Sequence, residues 1–200
     1  MKTLLLTLTL SIVGLISPVL AAVEVGKPAE GFSLTDTDGK SHSLADFKGK
    51  YVVLEWYNPD CPFVKKHYDS GNMQKLQKEY TGKDVVWLSI NSSATGKQGH
   101  YSADEYKKIA TDKNTAPTAL LLDHDGKVGK AYDAKTTPEI YIVNPEGNLI
   151  YKGAIDSKST SEQADIASSE NYVKSTLDAA MNGKPVAVSS TKSYGCSVKY

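Results

Sequence analysis

An apolar strand that runs straight into a Cys-Pro pair constrains this chain more than any other feature. Tyr51 to Trp56 reads Tyr-Val-Val-Leu-Glu-Trp, rich in β-branched and aromatic residues, as suits a central strand buried on both faces. Asn58-Pro59-Asp60 then turns the chain, and Cys61-Pro62-Phe63-Val64 follows. Proline is tolerated at the first helical position, where its missing N–H would have no partner anyway. A helix therefore starts at or just after Cys61. A thiol there meets the positive end of the helix dipole, which favours thiolate over thiol. Lys65 and Lys66, one turn on, act in the same direction. The local pattern predicts an activated cysteine, with Asn58, Pro62 and Lys65 as the residues that tune it.

Elements alternate on either side of this point. Asp36-Thr37-Asp38-Gly39 separates two short alternating runs and predicts an N-terminal hairpin. Gly71-Asn72 interrupts the helix that starts near Cys61, and Met73, Leu76 and Tyr80 carry a second helical stretch. Asp84 to Ile90 is a buried strand. Ser102-Ala103-Asp104-Glu105 is a capping box that opens a helix through Tyr106 and Ile109. Ala119–Leu122 is a short strand closed by the turn Asp123–Gly126. Glu139–Val143 and Asn148–Gly153 form a hairpin about Asn144-Pro145-Glu146-Gly147. Ser168 or Ser169 is expected to cap a last helix that Gly183 and Pro185 end. The pattern predicts an α/β sandwich around a central mixed sheet. Pro185 to Tyr200 has no periodicity and reads as an extended tail.

The first 21 residues have a positive start, an apolar stretch from Leu4 to Ile16 and a small-residue cleavage site at Ala21. That is the pattern of a secretory signal peptide, too short for a spanning helix. It implies a domain over 22–184, a tail over 185–200, and a periplasmic or extracellular setting without stable membrane insertion. Basic and acidic residues balance at 23 each, so charge gives no support to a nucleic-acid or membrane-surface partner. Every basic residue is lysine; without arginine, no guanidinium fork is available. No Gly-rich loop follows a strand, so no nucleotide cofactor is expected. Calcium loops starting at Asp36 or Asp123 would end on Phe47 or Ala134 instead of glutamate.

The strand leading to Cys61-Pro62, the Thr136-Thr137-Pro138-Glu139-Ile140-Tyr141-Ile142-Val143 run and the hairpin–helix ending together resemble the thioredoxin-like superfamily. Within it, the chain is similar to exported, peroxiredoxin-like redoxins over roughly Val25 to Gly183. The resemblance implies a three-layer thioredoxin-like sandwich with helices on both sheet faces. It also implies a cis Pro138 beside the active thiol, with the Thr137 main chain free to pair with an extended partner segment. Implied substrates are thiols and disulfides on proteins or small molecules, and peroxides less readily, with an external reductant.

Departures from that family matter equally. The position three after Cys61, where a dithiol thioredoxin has its second cysteine, is Val64. Where a peroxiredoxin has threonine three before its reactive cysteine, this chain has Asn58, and the arginine that would hold peroxide oxygens is missing. The second cysteine is Cys196, thirteen residues past Gly183, a reach of about 40 Å when extended. Gly195 beside it allows close backbone approach. Three readings stay open. Cys196 resolves an oxidised Cys61; the pair is a structural disulfide, worth about 5 kcal/mol by chain entropy; or the two thiolates bind Cu(I) with a histidine in a non-catalytic module. Of His42, His67, His100 and His124, only His67 is local, and it reads as a helix-face residue.

Overall fold

Asp36 makes the first turn. Its carboxylate accepts hydrogen bonds from the backbone N–H groups of Asp38 at 2.8 Å and Lys40 at 2.9 Å. This folds β1 (Ser33–Asp36) onto β2 (Ser41–Ser43) as an antiparallel hairpin. The computed structural model describes residues 23–200, so the leader expected over 1–21 lies outside the described residues. Among the described residues no helix is long and apolar enough to cross a membrane.

β3 (Val52–Trp56) is buried along its whole length, as its composition requires. It pairs in parallel with β4 (Val86–Asn91), and a parallel pair needs a crossover. α1 (Pro62–Asp69) and α2 (Asn72–Thr81) supply it. The break between them falls on Gly71, whose φ of +75° favours glycine. The Ser102–Glu105 capping box is formed, and α3 (Ala103–Asp112) follows it before β5 (Ala119–Leu122). The chain continues through a short α4 (Lys127–Ala131), then β6 (Thr136–Thr137), β7 (Glu139–Val143) and β8 (Leu149–Gly153). α5 (Tyr172–Met181) and β9 (Cys196–Ser197) complete it.

The main sheet has seven strands in the order β2-β1-β5-β4-β3-β7-β8 and is mixed, with β3, β4 and β5 parallel and the outer pairs antiparallel. One face packs on Val64 and Tyr68 of α1, Met73, Leu76 and Tyr80 of α2, Tyr106 of α3, and Val173 and Leu177 of α5. The other face is thinner. It is covered by Val128 of α4, by Tyr132 and Ala134 after it, and by Val23 and Phe32 from the start of the domain.

One local expectation is corrected, and one element appears that the sequence did not announce. α5 begins later than Ser168 or Ser169: Asn171 is its N-cap, its side chain accepting from the Lys174 N–H at 2.9 Å. Residues 163–168 form a 3-10 turn. The start is fixed by pairing of Asp156 with Asn171 and by the Tyr172 N–H to Ile155 carbonyl bond, a tertiary contact that overrides equal capping preferences. The turn after β5 also leads into α4, because the Asp123 carboxylate accepts from the N–H groups of Val128 at 3.1 Å and Gly129 at 2.8 Å.

Candidate active site

Asn58 shapes the loop that presents Cys61. Its side-chain oxygen accepts from the Asp60 N–H at 2.9 Å, and its backbone carbonyl accepts from the Cys61 N–H at 3.1 Å. Its amide nitrogen donates to the Gln98 carbonyl at 3.2 Å. Both side-chain atoms thus bond backbone groups. Cys61 is the N-cap of α1 and Pro62 its first residue; the Cys61 carbonyl accepts from the Lys65 N–H at 2.9 Å.

Cys61 is fully buried, and its Sγ donates to the Thr137 carbonyl at 3.0 Å. The Thr137–Pro138 peptide is cis. The Thr137 main chain is not free, however. β6 pairs antiparallel with β9, bringing Thr137 opposite Cys196 and Thr136 opposite Ser197. The tail has taken the edge where an outside segment was expected to pair, because residues 189–200 are clasped along their length. Thr191 accepts from the Ala154 N–H at 2.9 Å, the Val198 N–H donates to the Lys135 carbonyl, and the Tyr200 hydroxyl donates to the Ala134 carbonyl at 2.7 Å.

The two thiols are both free, and Cys196 is half-buried. Burial, with the hydrogen bond and charge of the adjacent Cys61 sulfur, pushes the Cys196 thiol up to about 12. Cys196 therefore keeps its proton near neutrality and can offer it to the facing sulfur.

Lys65, expected to add charge at the site, is exposed; the inward lysine is Lys66. Its Nζ lies 3.1 Å from Asp156 Oδ2 and 2.8 Å from the Lys158 carbonyl, with both members of the ion pair buried. Asp156 also accepts from the Tyr194 hydroxyl, two residues before Cys196. His67 is buried too. Its Nδ1 lies 2.9 Å from the Asn72 amide nitrogen and its Nε2 lies 3.3 Å from the Tyr194 hydroxyl. An acceptor at Nδ1 places the imidazole proton on Nε2, which donates to Tyr194. Burial, helped by the charge of Lys66 and opposed by Asp156, lowers His67 to about 4. Lys66, His67, Asp156 and Tyr194 thus form one polar cluster that ties the tail to α1.

Sequence reasoning missed Asp156 and Tyr194, which no motif marks. It also missed Glu55, which did carry a signal, since it is the single charge in the apolar run before Cys61. Glu55 is fully buried and accepts from Tyr68, Gln77, Trp87 and Ser89, joining α1 and α2 to the sheet. Burial raises its pKa, and the four donors only partly offset that.

The metal reading used a histidine with both thiolates. His67 faces Tyr194 and Asn72, His42 bonds Asp36, and His100 lies against His124, the rings tilted 49° with centres 4.3 Å apart. Among the described residues, no three or more His, Cys, Asp and Glu side chains are grouped to hold a metal ion.

A thioredoxin-like fold with a cysteine at a helix N-cap beside a cis-proline strand defines a redoxin, a thiol-based oxidoreductase. The chain belongs to the AhpC/TSA family, whose model matches residues 25–152. It is similar to thiol-disulfide oxidoreductase ResA of Bacillus subtilis, with 28% identity over 129 residues, covering 64% of this chain and 66% of that protein. ResA of Bacillus thuringiensis is 27% identical over 152 residues, 76% of this chain and 78% of the relative. Among solved structures, an uncharacterized conserved protein from Geobacillus kaustophilus superposes with a TM-score of 0.75. It has 31% identity and covers 88% of this chain and 92% of that one.

Proposed function

We propose that this protein is an exported thiol-disulfide oxidoreductase in which Cys61 attacks and Cys196 resolves. The observation that carries the reading is the meeting of the two thiols across the Thr137–Cys196 pair, from positions 135 residues apart. The Cys61 thiolate attacks one sulfur of a partner disulfide, forming a mixed disulfide and releasing the other sulfur as a thiolate that takes up a proton. Cys196 then loses its proton and attacks the Cys61 sulfur. The Cys61–Cys196 disulfide forms, and the partner leaves as its second thiol. Two electrons pass to the partner, and an external dithiol must restore the pair. Disulfide exchange is favoured over peroxide reduction because the chain has no arginine and the Asn58 amide is already engaged. The leader-like residues 1–21 support a periplasmic or extracellular setting.

Removing the resolving sulfur tests the sequence of steps. Cys196→Ser mixed with an excess of a small disulfide is expected to accumulate the mixed disulfide on Cys61, visible as an added mass on the intact protein. The natural protein passes through the same species without accumulating it. Equal accumulation in both proteins, or no adduct in either, overturns the assignment.

A further inference from the structure

Three features of the tail stand out once its path is traced. First, it lies against the domain as an extended peptide with a cysteine at the centre, pairing through Cys196 and Ser197 with the edge of β6 and sealing a Cys61 that has no exposure of its own. Second, Gly195 is required for that seating. Its φ is +131°, and a Cβ there would stand 2.1 Å from the Thr137 carbonyl oxygen and 2.8 Å from its carbon, too close for any side chain. Third, the tail is held at both ends and by Tyr194 between them, so that opening at Cys196 has to release the Tyr194 bond to Asp156. Thr191 bonds Tyr151 and Ala154 on one side, and on the other Tyr200 packs over Gly126 and Gly129. At Cys196 itself the β6–β9 ladder is only two residue pairs long, continued by the Val198 N–H to Lys135 carbonyl bond. A polar cavity of about 530 Å³, lined by Asp156, Ser157, Lys192, Ser193 and Tyr194 among others, leaves room beside the strap.

From these features we propose that residues 194–198 are a removable internal strand occupying the place of the partner. The segment bows outward between Thr191 and Tyr200, giving up the Tyr194 bonds to Asp156 and His67 and exposing Cys61, and an extended polypeptide whose cysteine follows a glycine takes its position. The glycine preference follows from the Thr137 carbonyl, which a side chain at that point would strike. Because both ends stay anchored, Cys196 remains close by and returns to the sulfur when the partner leaves. This rests on the thiol-exchange reading for its purpose, but the gating itself involves no redox step.

Alkylation of the reduced, full-length protein by iodoacetamide, with Cys61 followed separately by peptide mass mapping, tests it. Gly195→Ala is expected to raise the Cys61 rate at least tenfold by unseating the strap. The peptide Ser-Tyr-Gly-Ser-Ser-Val, added in excess to that variant, is expected to slow the rate again, and Ser-Tyr-Ala-Ser-Ser-Val is not. Tyr194→Phe, which keeps the ring and removes the bond to Asp156, is expected to give a smaller acceleration. Equal Cys61 rates in the natural and variant proteins, or two peptides of equal effect, would overturn the proposal. Should Gly195→Ala not fold, hydrogen exchange on the natural protein decides: strap amides must exchange much faster than those of β3, and equal protection rejects the gate. A failed gate leaves the Cys196→Ser trapping result unaffected, and a failed trap leaves the alkylation result unaffected, so the two readings fall separately.

Discussion

Asp156→Ala is expected to destabilise the protein by about 3–5 kcal/mol, because it leaves the buried Lys66 ammonium without its counter-charge. The Lys158 carbonyl, at 2.8 Å, remains as an acceptor but carries no full charge. The Tyr194 hydroxyl loses its acceptor as well, so the loss is shared between the domain and the seating of the tail. Urea denaturation reads the total. A double variant, Lys66→Met with Asp156→Ala, is expected to recover much of it, since replacing both members of a buried pair by apolar groups is often close to neutral. A single-variant loss under about 1 kcal/mol, in the range of an exposed ion pair, would show that the cluster is solvated in solution.

His67 links the same cluster to pH. Its imidazole is lowered to about 4 in the folded protein, against an ordinary value of 6.5, chiefly by burial. The folded state therefore binds this proton less well than the unfolded chain does. The stability His67 contributes is fully present above pH 6.5 and is lost as pH falls through the interval toward 4. A shift of this size corresponds to about 3 kcal/mol. Glu55 runs in the opposite sense: with its pKa raised by burial, its contribution is lost as pH rises. Comparing variants separates the two. His67→Gln is expected to flatten the natural protein's loss of stability between pH 6.5 and 4, measured by urea midpoints at each pH. An unchanged slope would mean that His67 is hydrated in the native state.

Much of the architecture was legible because strong local signals agreed with the tertiary result. The apolar run at Tyr51–Trp56 became the fully buried β3, the Gly71 break fell between α1 and α2, and the Ser102–Glu105 box capped α3. Less legible were features set by distant partners. Nothing near Ser168 reveals that pairing of Asp156 with Asn171 sets the start of α5. The five-residue α4 is too short for a periodic pattern and is held by a carboxylate in the preceding turn. At the site, Cys61 and its proline turn carried their own signal. Lys65 and Lys66 did not reveal which faces inward, because that depends on Asp156, 90 residues away. The tail illustrates the same limit. Its reach follows from its length, but its seating along β6 depends on a glycine whose missing Cβ is informative only once the Thr137 carbonyl is placed beside it.

In the proposed cycle Cys61 and Cys196 form one redox pair. Disulfide mapping of the reduced, full-length protein after mild oxidation by glutathione disulfide tests it most directly. Digested without reductant, the oxidised protein is predicted to yield one linked species joining the Cys61 and Cys196 peptides within a single chain, reopened by dithiothreitol. Two cysteines that remain free or carry glutathione separately, or that link only between chains, would contradict it.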